Sequence, residues 1–365
     1  MKKLLILIVI CLISACNKPA YNTARNTNDN IVNIENQQES VNKEDLSNKL
    51  IDAVKENNLQ LVHELIDKGA DVNLKIRTKI DYDDIFEVTP LWVAAHMNHT
   101  EIVQTLLENG AKDSLEVLYR GGGQIAGIEV EDPVGTTPLF EASFNNNDEM
   151  VKLLLNAGAK DNIFNASMRG DLETVKSFIE NGVDVNENYK GNSALTWAAR
   201  FGHTEIVKFL IGKKADINME SYRNGPIIMF AAEGGYTDIV KLLIQAGANV
   251  NESGFLFVTP LMKAAEKGHT ETVKTLLDLG ANVNDKDDGG CSAIILAVKN
   301  GNIEIVKLLL DAGADTNIPE EIYLGDMGEE IINEQADPNY NLLMYAQENE
   351  QTEIVELLKS YGAKE

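Results

Sequence analysis

A short phrase returns along this chain at a nearly fixed interval, and it limits the fold more than any other feature. It reads Gly-Ala-Asp-Val-Asn at Gly69–Asn73, Gly-Ala-Lys-Asp at Gly110–Asp113 and Gly158–Asp161, and Gly-Val-Asp-Val-Asn at Gly182–Asn186. It continues as Lys-Ala-Asp-Ile-Asn at Lys214–Asn218, and further copies begin at Gly247, Gly280, Gly313 and Gly362. From Lys214 to Gly313 the spacing is 33 residues three times running. A fixed period of this size predicts one supersecondary unit stacked on itself, with no single central core. Such a stack offers a long surface and rarely closes a catalytic pocket.

One unit can be followed from Thr259 to Gly280. The Thr259 hydroxyl is suited to accept a free N–H of a first helical turn, and Pro260 sits where it has no donor to lose. Leu261 and Ala264 share a face, and small Ala264 and Ala265 allow a neighbouring helix to come close. Gly268-His269 breaks the chain and Thr270 opens a second helix, with Val273, Leu276 and Leu277 at the i, i+3, i+4 positions. Gly280 ends it as a left-handed cap. Helices this short are marginal alone, so burial against the units above and below must hold them.

Thr89-Pro90-Leu91, Thr137-Pro138-Leu139, Thr259-Pro260-Leu261, the Ala-Ala pairs, Gly202-His203, Gly268-His269 and the closing Gly-Ala-Asp-Val-Asn phrases together resemble ankyrin repeats. The resemblance runs from about Leu46 to Glu365. It implies an all-α repeat solenoid of about nine stacked helix-turn-helix units joined by β-hairpin fingers, some extended, with the first and last units as caps. It implies no cofactor and a single-chain scaffold for binding another protein.

Departures from the period locate irregularities. Gly158 to Gly182 spans only 24 residues. The hairpin between those units is expected to be missing, with Asp161 capping the next helix and a notch or bend there. Three intervals are long instead, 41, 48 and 49 residues. Alternation at Leu74–Ile80 and Leu115–Glu131, with Gly121–Gly123 at the tip, reads as extended strands, and Ile322–Ile332 reads likewise. The first two fingers are expected to lie side by side and pair.

The N-terminus is read separately. Met1-Lys2-Lys3 precedes ten apolar residues, Leu4–Ile13, and then Ser14-Ala15-Cys16. A bilayer-spanning helix needs about 20 apolar residues, so this stretch reads as a secretory signal. Ile13-Ser14-Ala15-Cys16 resembles the lipobox of bacterial lipoproteins, which implies cleavage after residue 15 and a lipid on Cys16. Asn17 follows where an inner-membrane retention mark would place Asp, which favours the outer membrane. Residues 16–45 are polar and read as a disordered tether spanning roughly 30 Å. The expected organisation is signal 1–15, lipidated tether 16–45 and solenoid 46–365, exported and facing the periplasm or the cell exterior.

The chain carries 32 basic and 57 acidic residues, and loss of the signal removes Lys2 and Lys3. That balance opposes phosphate backbones and anionic lipid head groups alike. Cys291 alone would remain as a thiol, so no intramolecular disulfide is expected. Gly121-Gly122-Gly123 lacks the Gly-Lys-Ser/Thr of a phosphate loop, and Asp285–Gly290 lacks two oxygen ligands of a calcium loop. His99, His203 and His269 fall at the inter-helix position of the repeat, and His63 and His96 have no metal-spaced partners. No nucleophile context is present, so neither catalysis nor a small-molecule substrate is expected.

A binding surface remains. In ankyrin stacks partners lie against the concave side, which implies tip residues Ile85, Phe86, Tyr189, Tyr222, Arg223, Phe255 and Leu256 and helix residues Arg200 and Phe201 as partner-binding. Aromatic residues are only 6% of the chain, yet Tyr189, Phe201, Tyr222 and Phe255 fall together there. Mutual packing of the tips is the alternative for these rings. The expected function is a lipid-anchored envelope scaffold for another protein. A narrower alternative is a periplasmic inhibitor or immunity protein for a basic toxin or enzyme; a hydrolase in the inserts is a third.

Overall fold

The computed structural model of the chain describes residues 45–79, 85–112, 118–119, 123–125, 128–130, 137–189, 191–221, 225–316 and 341–364. Among them eighteen helices form nine successive helix–turn–helix units. Unit 1 joins residues 45–55 to Leu59–Asp67. Units 2 and 3 are Pro90–His96 with Thr100–Glu108 and Pro138–Phe144 with Asp148–Asn156. Units 4 and 5 are Ile163–Met168 with Leu172–Glu180 and Ala194–Arg200 with Thr204–Gly212. Units 6 and 7 are Ile227–Glu233 with Thr237–Gln245 and Pro260–Glu266 with Thr270–Asp278. Units 8 and 9 are Ala293–Lys299 with Ile303–Asp311 and Leu342–Glu348 with Thr352–Ser360.

The repeated residues explain the repeated geometry. Thr89, Thr137 and Thr259 accept the N–H of Trp92, Phe140 and Met262 at 3.2, 3.1 and 3.3 Å, and proline follows each without losing a donor. Leu91, Leu139, Leu195 and Leu261 are all buried in equivalent places, each a burial of about 1.5–3 kcal/mol. First helices pack on first helices and second helices on second. The first-helix layer carries buried alanines such as Ala198, Ala199, Ala231, Ala232, Ala264 and Ala265, where the second-helix layer carries Ile206, Val207, Leu210, Ile239, Val240 and Leu243. Smaller side chains bring the first helices closer together, so the stack curves toward them.

Two polar clasps recur between units. Asn251 donates to the Gly280 carbonyl at 3.3 Å and accepts the Asn282 N–H at 2.8 Å. Asn284 does the same for Gly313 and Asp315, and Asn73 for Gly110 and Lys112. The final asparagine of the recurring phrase is therefore an inter-unit staple. The second clasp is the histidine before three of the second helices: His99, His203 and His269 lie 3.0, 2.6 and 2.8 Å from the carbonyls of Val54, Met168 and Glu233. A carbonyl only accepts, so the ring nitrogen carries the proton. Two of the rings need a glycine beneath them; a Cβ on Gly170 or Gly235 would fall 2.6 Å from the ring of His203 or His269.

The short interval leaves its mark. Among the described residues the buried apolar core divides into two clusters, one ending at Leu154 and the other beginning at Ile163. Unit 4 joins its neighbour without a hairpin, as the spacing predicts, but its cap differs. Asn162, not Asp161, accepts the N–H of Asn165 at 2.8 Å. Asp161 is instead drawn away by Arg169, whose Nη1 donates to it at 3.0 Å and whose Nη2 also reaches Asp171. The first helix of this unit is one residue shorter than the others, which moves its start past Asp161.

The two long N-terminal inserts pair with each other. Strand Ile76–Lys79 runs antiparallel to Ile85–Val88, which in turn pairs with Leu118–Tyr119, setting Phe86 opposite Tyr119 in register. The second insert departs from expectation in its turn. Gly123–Ile125 pairs with Ile128–Val130, so Gly123 begins a strand and the reversal follows Ile125. Leu118–Tyr119 had a better partner in the neighbouring finger. The third insert, Ile322–Ile332, lies outside the described residues.

Candidate protein-binding face

The inner face is built from three positions on each first helix: seven, four and three residues before the second helix begins. In unit 5 these are Trp197, Arg200 and Phe201; in unit 6, Phe230, Glu233 and Gly234; in unit 7, Lys263, Glu266 and Lys267. Unit 3 places Glu141, Phe144 and Asn145 there, and unit 4 Asn165, Met168 and Arg169.

The sharpest feature lies over unit 4. Phe144 of unit 3 meets Phe201 of unit 5 edge-on with ring centres 5.3 Å apart, and Phe140 meets Trp197 at 5.7 Å. Phe144 also lies 6.5 Å from Trp197. Rings two units apart thus close over unit 4. Beneath these rings Glu141, Asn165 and Met168 are buried, the first two in the column where Val93, Trp197 and Phe230 are buried too. Glu141 Oε2 lies 3.0 Å from His96 Nδ1, and the imidazole stacks on Trp92 at 4.8 Å. Its Oε1 and both polar atoms of the Asn165 amide have no hydrogen-bond partner among the described residues.

C-terminal to that closure the face turns to mixed charge. Arg200 lies over the Phe230 ring at 5.1 Å, and burial lowers its pKa against the opposing pull of Glu233. Lys263 bridges Glu266 at 3.2 Å and Glu233 at 3.8 Å, and Lys267 adds a second contact to Glu266. Burial works to raise the Glu266 carboxyl, but the two lysines outweigh it and hold it below the ordinary range. Half-buried side chains of this kind give specificity to a docked chain at small cost in reorganisation.

The residues expected to bind a partner separate into groups. Arg200 and Phe201 are half-buried on the inner face, with Phe201 engaged by Phe144. Phe255 and Leu256 stand exposed at a tip. Ile85 and Phe86 lie in the strand paired with residues 76–79, and Tyr189 in the strand Asn188–Tyr189, opposite Asn192. Tyr222, Arg223 and Cys16 lie outside the described residues. Among the described residues no group of His, Cys, Asp and Glu is placed to hold a metal ion, and no helix is long and apolar enough to cross a membrane.

A family model described as ankyrin repeats matches the chain three times, over residues 50–165, 163–254 and 228–320. The chain belongs to the ankyrin-repeat family. Comparison with curated proteins finds no match. Ankyrin repeats generally mediate binding to other proteins. In this ankyrin stack the sequence reading missed Trp197 and Phe230, buried rings that support Phe201 and Arg200 from beneath. Their signal was present: both stand seven residues before a second helix, the column that holds Lys263 in unit 7.

Proposed function

We propose that this protein is a non-catalytic ankyrin scaffold, anchored by a lipid on Cys16 to a bacterial membrane, that holds another polypeptide against its first-helix face. The observation that carries the reading is the half-buried row Arg200, Phe201 and Glu233 on the inner positions of units 5 and 6, supported from beneath by the buried rings of Trp197 and Phe230. Aromatic and arginine side chains on a rigid support are those that dominate protein interfaces. The lipobox-like Ile13-Ser14-Ala15-Cys16 supports the anchor, and the polar residues 17–45 would serve as its tether.

Two measurements test it. Capture by the chain bearing Arg200→Ala and Glu233→Ala should fall at least tenfold relative to wild type, with helix content unchanged; equal capture by the folded variant removes the inner face from consideration. Growth with a fatty-acid analogue should label the wild type and not Cys16→Ser; labelling of both would place the lipid elsewhere, and labelling of neither would remove it. A second reading, an inhibitor of a basic toxin or enzyme, draws on the net charge of −25. It requires capture that weakens steeply with salt.

A further inference from the structure

The tip of unit 7 is built unlike a turn. Phe255–Phe257 form a single 3-10 turn in which Leu256 and Phe257 both adopt positive φ, 58° and 59°. Glycine or asparagine takes this region readily, whereas large L-residues avoid it. Nothing is gained by burial in exchange: Phe255, Leu256 and Phe257 are 52%, 46% and 63% exposed.

The strained turn is held in place from three sides. The Asp288 N–H of the next tip donates to the Leu256 carbonyl at 2.8 Å, and the Gly254 N–H closes the loop on Val258 at 2.9 Å. On the other side Gly254 meets Gly225 of the preceding hairpin backbone to backbone; a Cβ on Gly225 would fall 2.7 Å from the Gly254 Cα. Backbone strain persists only where surroundings fix it, and it gathers at sites that act on something else.

Charge restricts what that something is. The tip bonded to the knob reads Asp285-Lys286-Asp287-Asp288, and Glu252 precedes it on its own hairpin. Lys286 is the one cation of those five side chains, on a chain with net charge −25. Acidic surroundings repel an anionic lipid surface and an acidic protein alike.

We infer that Phe255, Leu256 and Phe257 form a preformed apolar knob with an acidic collar, and that its occupant is a cationic amphipathic segment of a partner protein. The inference rests on the reading of this protein as a polypeptide-binding scaffold and names the partner's chemistry. The knob enters an apolar patch of that segment while its lysines or arginines meet Asp287, Asp288 and Glu252.

The test uses the full chain, a labelled helical peptide of leucine and lysine, and the matched leucine and glutamate peptide. The leucine–lysine peptide should bind the wild type with salt-sensitive affinity, and Leu256→Asn/Phe257→Gly should weaken it at least tenfold without changing the net charge. Phe257→Leu, which keeps the apolar surface, should retain binding within about threefold. Because asparagine and glycine suit positive φ, the double variant should also melt at or above the wild-type temperature. Equal peptide affinity in the double variant, equal binding of the glutamate peptide, or a lowered melting temperature overturns the knob. Binding to phosphatidylcholine or phosphatidylglycerol vesicles in place of the peptide overturns it in favour of a lipid surface. Peptide binding lost in Arg200→Ala but kept in the double variant overturns the knob and leaves the scaffold reading intact.

Discussion

Phe144 and Phe201 stand edge to face with centres 5.3 Å apart, although a complete repeat lies between them. Edge-on aromatic pairs contribute about 0.5–1.5 kcal/mol beyond the area they bury. The contact matters more than its size, because the apolar core is divided beneath it between Leu154 and Ile163. The aromatic cluster is the bridge between two stacked bodies.

A double-mutant cycle on Phe144→Ala and Phe201→Ala should therefore show coupling of about 0.5–1.5 kcal/mol. The chain has two tryptophans, Trp92 on one side of the division and Trp197 on the other. Single-tryptophan proteins followed in urea should lose Trp92 and Trp197 signals at separate midpoints once Phe144 is alanine. Coincident midpoints in that variant would mean that the two bodies cooperate through other contacts.

Lys214 has φ +67° where the other eight repeats of the phrase place glycine. It is exposed, and the left-handed region costs an L-residue about 1–2 kcal/mol, part of which glycine loses again in the unfolded chain. Lys214→Gly should stabilise the protein by about 0.5–1 kcal/mol in urea denaturation. A loss of stability would show that the lysine side chain contributes more than its backbone costs.

Asn251 makes two bonds into the next unit, to Gly280 and from Asn282. Asn251→Ala should cost about 0.5–1.5 kcal/mol and speed hydrogen exchange at the Asn282 amide, with little change in units 1–3. Asn251→Asp keeps the acceptor and should fall between. Unchanged exchange at Asn282 would reduce the staple to a coincidence of packing.

Burial works to raise the Asp171 carboxyl, but bonds from Thr174 and the nearby Arg169 outweigh it and hold it below the ordinary 3.8. A carboxyl lowered in the folded state stabilises above its unfolded pKa, and that contribution disappears as pH falls through the folded value. Asp171→Asn retains a capping oxygen without the charge. Its stability should lie below the wild type's at pH 6 and approach it below pH 3.8; a constant gap across that range would assign the whole effect to the cap.

Much of this was legible in the chain. The 33-residue spacing, Thr-Pro-Leu and the glycine phrase set nine units because each residue has a purely local duty: cap, helix start, buried leucine, left-handed turn. The Gly158–Gly182 interval located the missing hairpin for the same reason. Asp161 was misassigned because its pull toward Arg169 depends on a side chain eight residues on. Gly121–Gly123 was misread as a tip because the preceding strand pairs with Ile85–Val88, a partner far away in sequence. The meeting of Phe144 with Phe201 joins residues 57 apart in the chain, across a whole unit, which no local pattern carries. The knob was half visible: its apolar run stands in the sequence, but the positive φ of Leu256 and Phe257 does not.

The central claim is that the first-helix face holds a polypeptide. Photo-crosslinking amino acids placed singly at Arg200 and Glu233 on that face, and at Lys208 and Lys241 on the second-helix face, test it directly in the producing cell. Protein adducts at Arg200 and Glu233 with none at Lys208 and Lys241 are expected. Adducts confined to Lys208 and Lys241 would contradict it.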